Sequence, residues 1–212
     1  MRVLSFEVGP FAARCVVVAE EGGQDAFIVD PGFDAEVLID EVRRQGLAPA
    51  AVVLTHAHLD HAYGVAEVKA AFPAARLLLH PDDLPLYENL AMQAAAFGFP
   101  PPEQVPPDGF LADGQELPLG RQHLLVRHTP GHSPGHVVLL RLAEPPLAIV
   151  GDVLFAGSVG RTDLWGGSFE TLARSIRQVL YTLPAHTRVI PGHGPETTIG
   201  VEAASNPFVS TG

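Results

Sequence analysis

The chain has 212 residues, 47% hydrophobic and 17% charged, enough apolar material for a sizeable core and the length of one α/β domain, expected to span residues 1–212. Its formal net charge of -11 leaves no positive field for a phosphate backbone, which excludes nucleic acid as a partner class. The N-terminal stretch through Cys15 lacks the uninterrupted apolar run of an export signal, and no later stretch reaches the ~18 apolar residues of a membrane span, so a soluble, cytoplasmic protein with no membrane partner is expected.

In chain order, apolar runs predict strands over 3–8, 15–19 and 26–29, closed by the turn sequence Asp30-Pro31-Gly32. The single cysteine, Cys15, lies in the run Cys15-Val16-Val17-Val18. It reads as a small buried strand residue rather than a nucleophile, and it has no intramolecular disulfide partner. Leu38 and Val42 stand four apart in a helix predicted from about Asp34 to Gly46.

The run Ala51-Val52-Val53-Leu54 predicts a strand covered on both faces, and Thr55-His56-Ala57-His58-Leu59-Asp60-His61 follows it directly. Val65, Val68 and Phe72 then recur at spacings of three and four, which predicts one helix from Asp60 or His61 to Pro73. His80 marks a strand end before Pro81. Residues 81–107, rich in Pro and Ala with a helical middle, are expected to form a flap or a surface excursion. The second half repeats the alternation, with strands over 124–126, 137–142 and 147–150 and a helix carrying Leu172, Ile176, Val179 and Leu180. A last strand, Arg188-Val189-Ile190, runs into Pro191-Gly192-His193-Gly194.

The chemistry gathers where apolar strands end. His56, His58, Asp60 and His61 put three imidazoles and a carboxylate within six residues at a strand-to-helix turn, a grouping too dense for chance in a chain with 10 histidines. His132, Asp152 and His193 each follow a strand and a glycine, as expected where backbone packs closely around a buried site. Neutral imidazoles with carboxylates suit Zn, Fe or Mn, and the missing thiolates argue against a closed structural zinc site. Thr55, Thr129 and Ser133 are candidates for orienting ligands, or for plain turn and capping roles. His136 stands near the site in sequence but opens an apolar strand, and His80, His123, His128 and His186 read as satisfied or solvated.

The strings THAHLDH, TPGHSPGH, GDVLF and PGHG, in this order and spacing, resemble the metallo-β-lactamase superfamily across nearly the whole chain. LFAGSVGRTDL and TTIGVEAASNPF are similar to its small bacterial glyoxalase II-type members, the hydroxyacylglutathione hydrolases. The resemblance implies an α/β fold, an αββα sandwich in which two mixed sheets pack face to face with helices outside. It also implies two divalent metal ions, zinc first with iron or manganese as alternatives. His56, His58 and His132 would bind one ion, Asp60, His61 and His193 the other, and Asp152 would bridge them. The implied activity is cleavage of a thioester, S-lactoylglutathione or a similar acyl-thiol, by a metal-bridging hydroxide, with Asp60 and Asp152 as the catalytic carboxylates. A thiolate leaving group, whose conjugate acid has a pKa of ~8.5, needs no general acid.

On the substrate side, Arg161 in Gly160-Arg161-Thr162-Asp163 is the candidate for holding an anionic group, weighed against a structural ion pair with the nearby Asp. Tyr63 is a second substrate-binding candidate, weighed against packing on a helix face. Other readings stay open: a mononuclear-iron persulfide dioxygenase, which usually carries a different string where this chain has PGHG; a lactonase or other metallo-hydrolase of the superfamily; and a non-enzymatic metal-binding module. A monomer or small homo-oligomer acting on a small molecule is expected.

Overall fold

The computed structural model describes residues 1–210. Its chain divides into two compact units, Met1–Leu111 with Pro118–His123, and Ala112–Leu117 with the chain from Leu124 onward.

The first unit contains β1 (Arg2–Val8), β2 (Ala13–Ala19), β3 (Asp25–Val29), α1 (Ala35–Arg44), β4 (Ala48–Val53), α2 (Leu59–Ala62), α3 (Val65–Ala71), β5 (Arg76–Leu79), α4 (Leu84–Glu88), α5 (Leu90–Ala96) and β6 (Gly109–Phe110). The strands form one mixed sheet in the order β1 to β6, antiparallel from β1 to β3 and parallel from β3 to β6. Parallel strands are covered on both faces, which accounts for the unbroken apolar run at the end of β4: Val52, Val53 and the following Leu54 are all fully buried. Helix α1 buries Ala35, Leu38, Ile39 and Val42, the face its spacing predicts.

Cys15 is buried in β2 and its thiol donates to the Val29 carbonyl at 3.3 Å. Burial, and secondarily the charge of Asp30, push the thiol well above the ordinary cysteine range. Because only the thiolate reacts, iodoacetamide is expected to leave the native protein unmodified at pH 8 and to add one equivalent in denaturant. Alkylation of the native protein at the denatured rate, read by mass spectrometry, would show the site to be open.

Two expectations need correction. The single helix over residues 60–73 is two helices, α2 and α3, broken at Tyr63-Gly64. Gly64 donates to the Pro31 carbonyl at 2.9 Å, and a Cβ at Gly64 would fall on the Gly32 carbonyl oxygen. The backbone there passes too close to the Asp30-Pro31-Gly32 turn to carry a side chain, a long-range contact that periodicity does not report. Of residues 81–107, expected as a flap or an excursion, 81–96 are neither, because α4 and α5 place Leu86, Tyr87, Leu90 and Ala94 in the unit's core, while 97–107 run as largely exposed coil. Burial raises the Tyr87 phenol to about 12 against the opposing effect of its bond to the Val105 carbonyl, at 2.8 Å.

The remaining elements are β7 (Glu116–Leu119), β8 (Gln122–His128), β9 (Val137–Arg141), β10 (Leu147–Gly151), β11 (Leu154–Phe155), β12 (Ser158–Val159), α6 (Phe169–Ser175), β13 (Arg188–Pro191), β14 (Thr197–Thr198) and α7 (Ile199–Ser205). A second mixed sheet runs β14-β13-β10-β9-β8-β7, with β10 and β13 parallel and the pairs β13–β14, β9–β10 and β8–β9 antiparallel. Ser168 caps α6, its hydroxyl accepting from Thr171 N at 3.3 Å. The helix then widens into a π turn over Ile176–Leu180. Leu172, Ile176, Val179 and Leu180 are buried with Val150 and Val189 in the second unit's core, on the face their spacing predicts. Among the described residues, no helix is long and apolar enough to cross a membrane.

Candidate metal centre

The candidate ligands fall into two sets, one on each unit. In the first unit, β3 and β4 are parallel neighbours, and Asp30 N donates to the Val53 carbonyl at 3.1 Å. Asp30 and Thr55-His56 therefore emerge side by side at the carboxyl ends of the strands, where open α/β sheets present their functional groups. His56 and His61 are buried with ring centroids 4.2 Å apart, and His58 stands edge-on to His56 at 4.9 Å. Asp60 Oδ2 lies 3.7 Å from His61 Nε2.

Asp30, which reads as simple turn chemistry in the sequence, is buried beneath these rings and organises them. Its Oδ1 accepts from Thr55 N at 2.7 Å, and its Oδ2 accepts from Thr55 Oγ1 at 2.6 Å and from His61 Nδ1 at 3.1 Å. Thr55 Oγ1, its proton given to Asp30, is left to accept from His56 Nδ1 at 3.1 Å. One carboxylate thus fixes the tautomers of two imidazoles, His61 directly and His56 through Thr55, so that each turns Nε2 toward a metal. By separation alone Asp30, His56 and His61 could themselves hold an ion, their ligand atoms lying within 4.8 Å. The three hydrogen bonds into Asp30 instead give it the orienting role.

His58 is held by a segment that sequence patterning does not connect to it. The Gln93 amide on α5 accepts from Leu59 N at 3.0 Å and donates to the Ala57 carbonyl at 3.1 Å, gripping the backbone on both sides of His58. Buried Asp83 accepts from Ala57 N at 3.0 Å. Tyr63 stacks on Phe33 with centroids 4.0 Å apart and an interplanar angle of 14°, and its hydroxyl donates to the Pro100 carbonyl. These contacts are those of the packing alternative.

In the second unit, His132 lies in the loop between β8 and β9, Asp152 follows β10, and His193 follows β13. The parallel pairing of β10 with β13 sets Gly151 opposite Pro191, and Gly192 N donates to the Gly151 carbonyl at 2.8 Å, which brings the last two ligand loops together. His132 Nε2 and His193 Nε2 each lie 3.6 Å from Asp152 Oδ2. His132 Nδ1 donates to the Arg161 carbonyl at 2.8 Å, which fixes its tautomer. His136 is fully buried, and its Nε2 accepts from Asp152 N at 3.1 Å. It positions the carboxylate rather than facing outward, and its single sequence cue was proximity to His132. The exposed Arg161 guanidinium forms a two-pronged ion pair with Asp163, both contacts at 2.7 Å. That pairing draws the Asp163 carboxyl down to about 2.

These residues fit divalent metal ions. The Nε2–Oδ2 separations in both sets exceed hydrogen-bond length and approach the roughly 3.4 Å between two donors that each sit ~2.1 Å from one tetrahedral ion. Neutral imidazoles with fixed tautomers and carboxylates are the borderline ligands that Zn, Fe and Mn accept.

A metal-dependent hydrolase of α/β class, with two mixed sheets and helices, is the kind of protein that this fold and donor set define. The family description "metallo-beta-lactamase superfamily" matches residues 8–193, and the chain belongs to that superfamily. The hydroxyacylglutathione hydrolase GloC of Haemophilus influenzae is 37% identical to it over 212 residues, covering 100% of this chain and 99% of that protein. Among solved structures, TTHA1623 in a di-iron-bound form is 41% identical with a TM-score of 0.88, covering 97% of this chain and 100% of its own. The BLEG-1 B3 metallo-β-lactamase is 38% identical, also with a TM-score of 0.88, and covers 100% of both chains.

Proposed function

We propose that the protein is a thioesterase of the glyoxalase II type, cleaving S-lactoylglutathione or a similar small acyl-thiol at a two-metal centre. The observation that carries the reading is Asp152, whose Oδ2 has two imidazole Nε2 atoms, those of His132 and His193, each at 3.6 Å, so that it could serve two ions. His56, His58 and His132 would hold one ion, Asp60, His61 and His193 the other, and Asp152 both. The hydroxyacylglutathione hydrolase relative supports the thioester, and the di-iron neighbour supports iron beside zinc.

When bound, such ions supply a water of near-neutral pKa and Lewis-acid polarisation of a carbonyl. The chain's own residues fix the geometry in which that happens. Asp30, Thr55 and the Arg161 carbonyl hold the protons of His61, His56 and His132 on Nδ1, and Gln93 and Asp83 hold the strand of backbone that presents His58. No side chain need protonate the leaving group, since a thiol of pKa ~8.5 departs as thiolate near neutrality. The Arg161 side chain can hold a substrate anion only in competition with Asp163.

The test is the rate of S-D-lactoylglutathione hydrolysis by protein loaded separately with zinc and iron, followed through loss of the thioester absorbance. Turnover that falls more than about a hundredfold in His193→Ala, as for loss of a metal ligand, supports the proposal. Metal-replete protein inactive on every acyl-thiol offered defeats it. The likeness to a B3 β-lactamase favours a second reading, and nitrocefin turnover without thioester turnover would put that reading first.

A further inference from the structure

The second unit carries a cleft of about 330 Å³ lined in part by Arg127, His128, Thr171, Arg174 and Gln178, with Asp113 the single acid on its wall among the described residues. That volume is at the small end of metabolite pockets. In a chain of net charge -11, this cleft gathers two guanidiniums, each with one carboxylate partner, Asp113 on the wall and Glu170 outside the lining. We propose that it binds a small multivalent oxyanion, a phosphate ester or a dicarboxylate, as a second ligand site distinct in residues from the metal ligands.

The donor arithmetic supports this. Asp113 Oδ1 accepts from Arg127 Nε at 2.9 Å and from His128 N at 2.8 Å, so the one acid on the wall holds Arg127 by its Nε alone. A guanidinium has five N–H donors, and the two terminal nitrogens of its fork are the pair that matches an oxyanion. Arg174 gives Nη2 to Glu170 at 3.0 Å, a pair more than half exposed at both ends. Exposed pairs of this kind are weak, so an incoming anion that meets both arginines displaces Glu170 at little loss. Thr171 and Gln178 line the cleft from the same helical segment.

The cleft also lies at the foot of the loop that carries His132. Pro130 lines it, Ser175 Oγ donates to the Pro130 carbonyl at 2.8 Å, and Ser168 N donates to the Gly131 carbonyl at 2.8 Å. An anion tying Arg127 on β8 to Arg174 on α6 would brace the two elements between which that loop is strung.

Zinc-loaded, ¹⁵N-labelled protein titrated with sodium phosphate, and separately with sodium malonate, at constant ionic strength tests the site. Saturable shifts are expected at the amides of Arg127, Thr171, Arg174 and Gln178. Arg174→Gln is expected to weaken binding about tenfold, the worth of a charged hydrogen bond. Glu170→Gln, which removes the competitor, is expected to tighten it. Response to phosphate alone identifies the phosphate ester class, and response to malonate as well extends it to dicarboxylates. No saturation at these amides, shifts confined to the metal ligands, or equal affinity in wild type and Arg174→Gln would overturn the proposal.

Discussion

Asp30→Asn is expected to bind zinc about 10 to 100-fold more weakly than the native chain and to lose about 1–3 kcal/mol of stability. The two side chains have nearly the same shape, so the effect is one of hydrogen-bond polarity. The carboxylate is acceptor-only and faces three donors: Thr55 N on Oδ1, and Thr55 Oγ1 and His61 Nδ1 on Oδ2. An amide has one oxygen and one NH₂. Whichever way it turns, its NH₂ meets a donor in a fully buried position. If the nitrogen faces Thr55 N, the backbone donor that starts the ligand loop is orphaned. If it faces His61, the imidazole loses the acceptor that keeps its proton on Nδ1, and a tautomer with Nε2–H no longer ligates a metal. Zinc competition against a chromophoric chelator reads the first quantity, and denaturant unfolding of the metal-free protein reads the second. A stability loss with unchanged zinc affinity would reduce Asp30 to a structural turn residue. Thr55→Val removes only the relay to His56 and is expected to fall between the native chain and Asp30→Asn.

The contrast between Asp30 and its neighbours shows what sequence reading reaches. His56, His58, Asp60, His61, His132, Asp152 and His193 were legible as candidates because each sits where an apolar run stops, and a polar side chain at a strand end has few bland uses when six others share the setting. Most of the long strands were legible for the same reason, through their apolar content. Asp30 has the same position, after β3, but Asp-Pro-Gly is also good turn chemistry, and nothing local separates the two uses. Gln93 and Asp83 are further out of reach: their partners, Leu59 and Ala57, lie on a different stretch of chain, and no periodicity links a helix residue to a backbone carbonyl it meets only in three dimensions. The break between α2 and α3 is of this kind as well, set by the proximity of Gly64 to Pro31 and Gly32. Strands of two residues, such as β6, β11, β12 and β14, are too short to show any alternation.

Gly160→Ala is expected to lower thioester turnover about a hundredfold and to cost about 1–3 kcal/mol of stability, although Gly160 binds neither metal nor substrate in the proposed mechanism. A Cβ at this position would fall on the Asp152 carbonyl oxygen and come within 3.0 Å of His132 Nδ1. The obstacle is backbone, so no rotamer change relieves it. Either the main chain at Asp152 moves, taking its carboxylate from the two imidazoles that converge on Oδ2, or residues 160–161 move, withdrawing the Arg161 carbonyl that accepts from His132 Nδ1. Both relaxations misplace a ligand. Gly157→Ala supplies the comparison, since Gly157 has a positive φ of 69° with nothing within 4 Å of the added methyl. That variant is expected to pay for left-handed strain alone, about 1–2 kcal/mol, with zinc affinity intact. Similar zinc affinity in the two variants would show that crowding at Gly160 is absorbed without moving His132 or Asp152, and that the close approach of the two loops serves packing only.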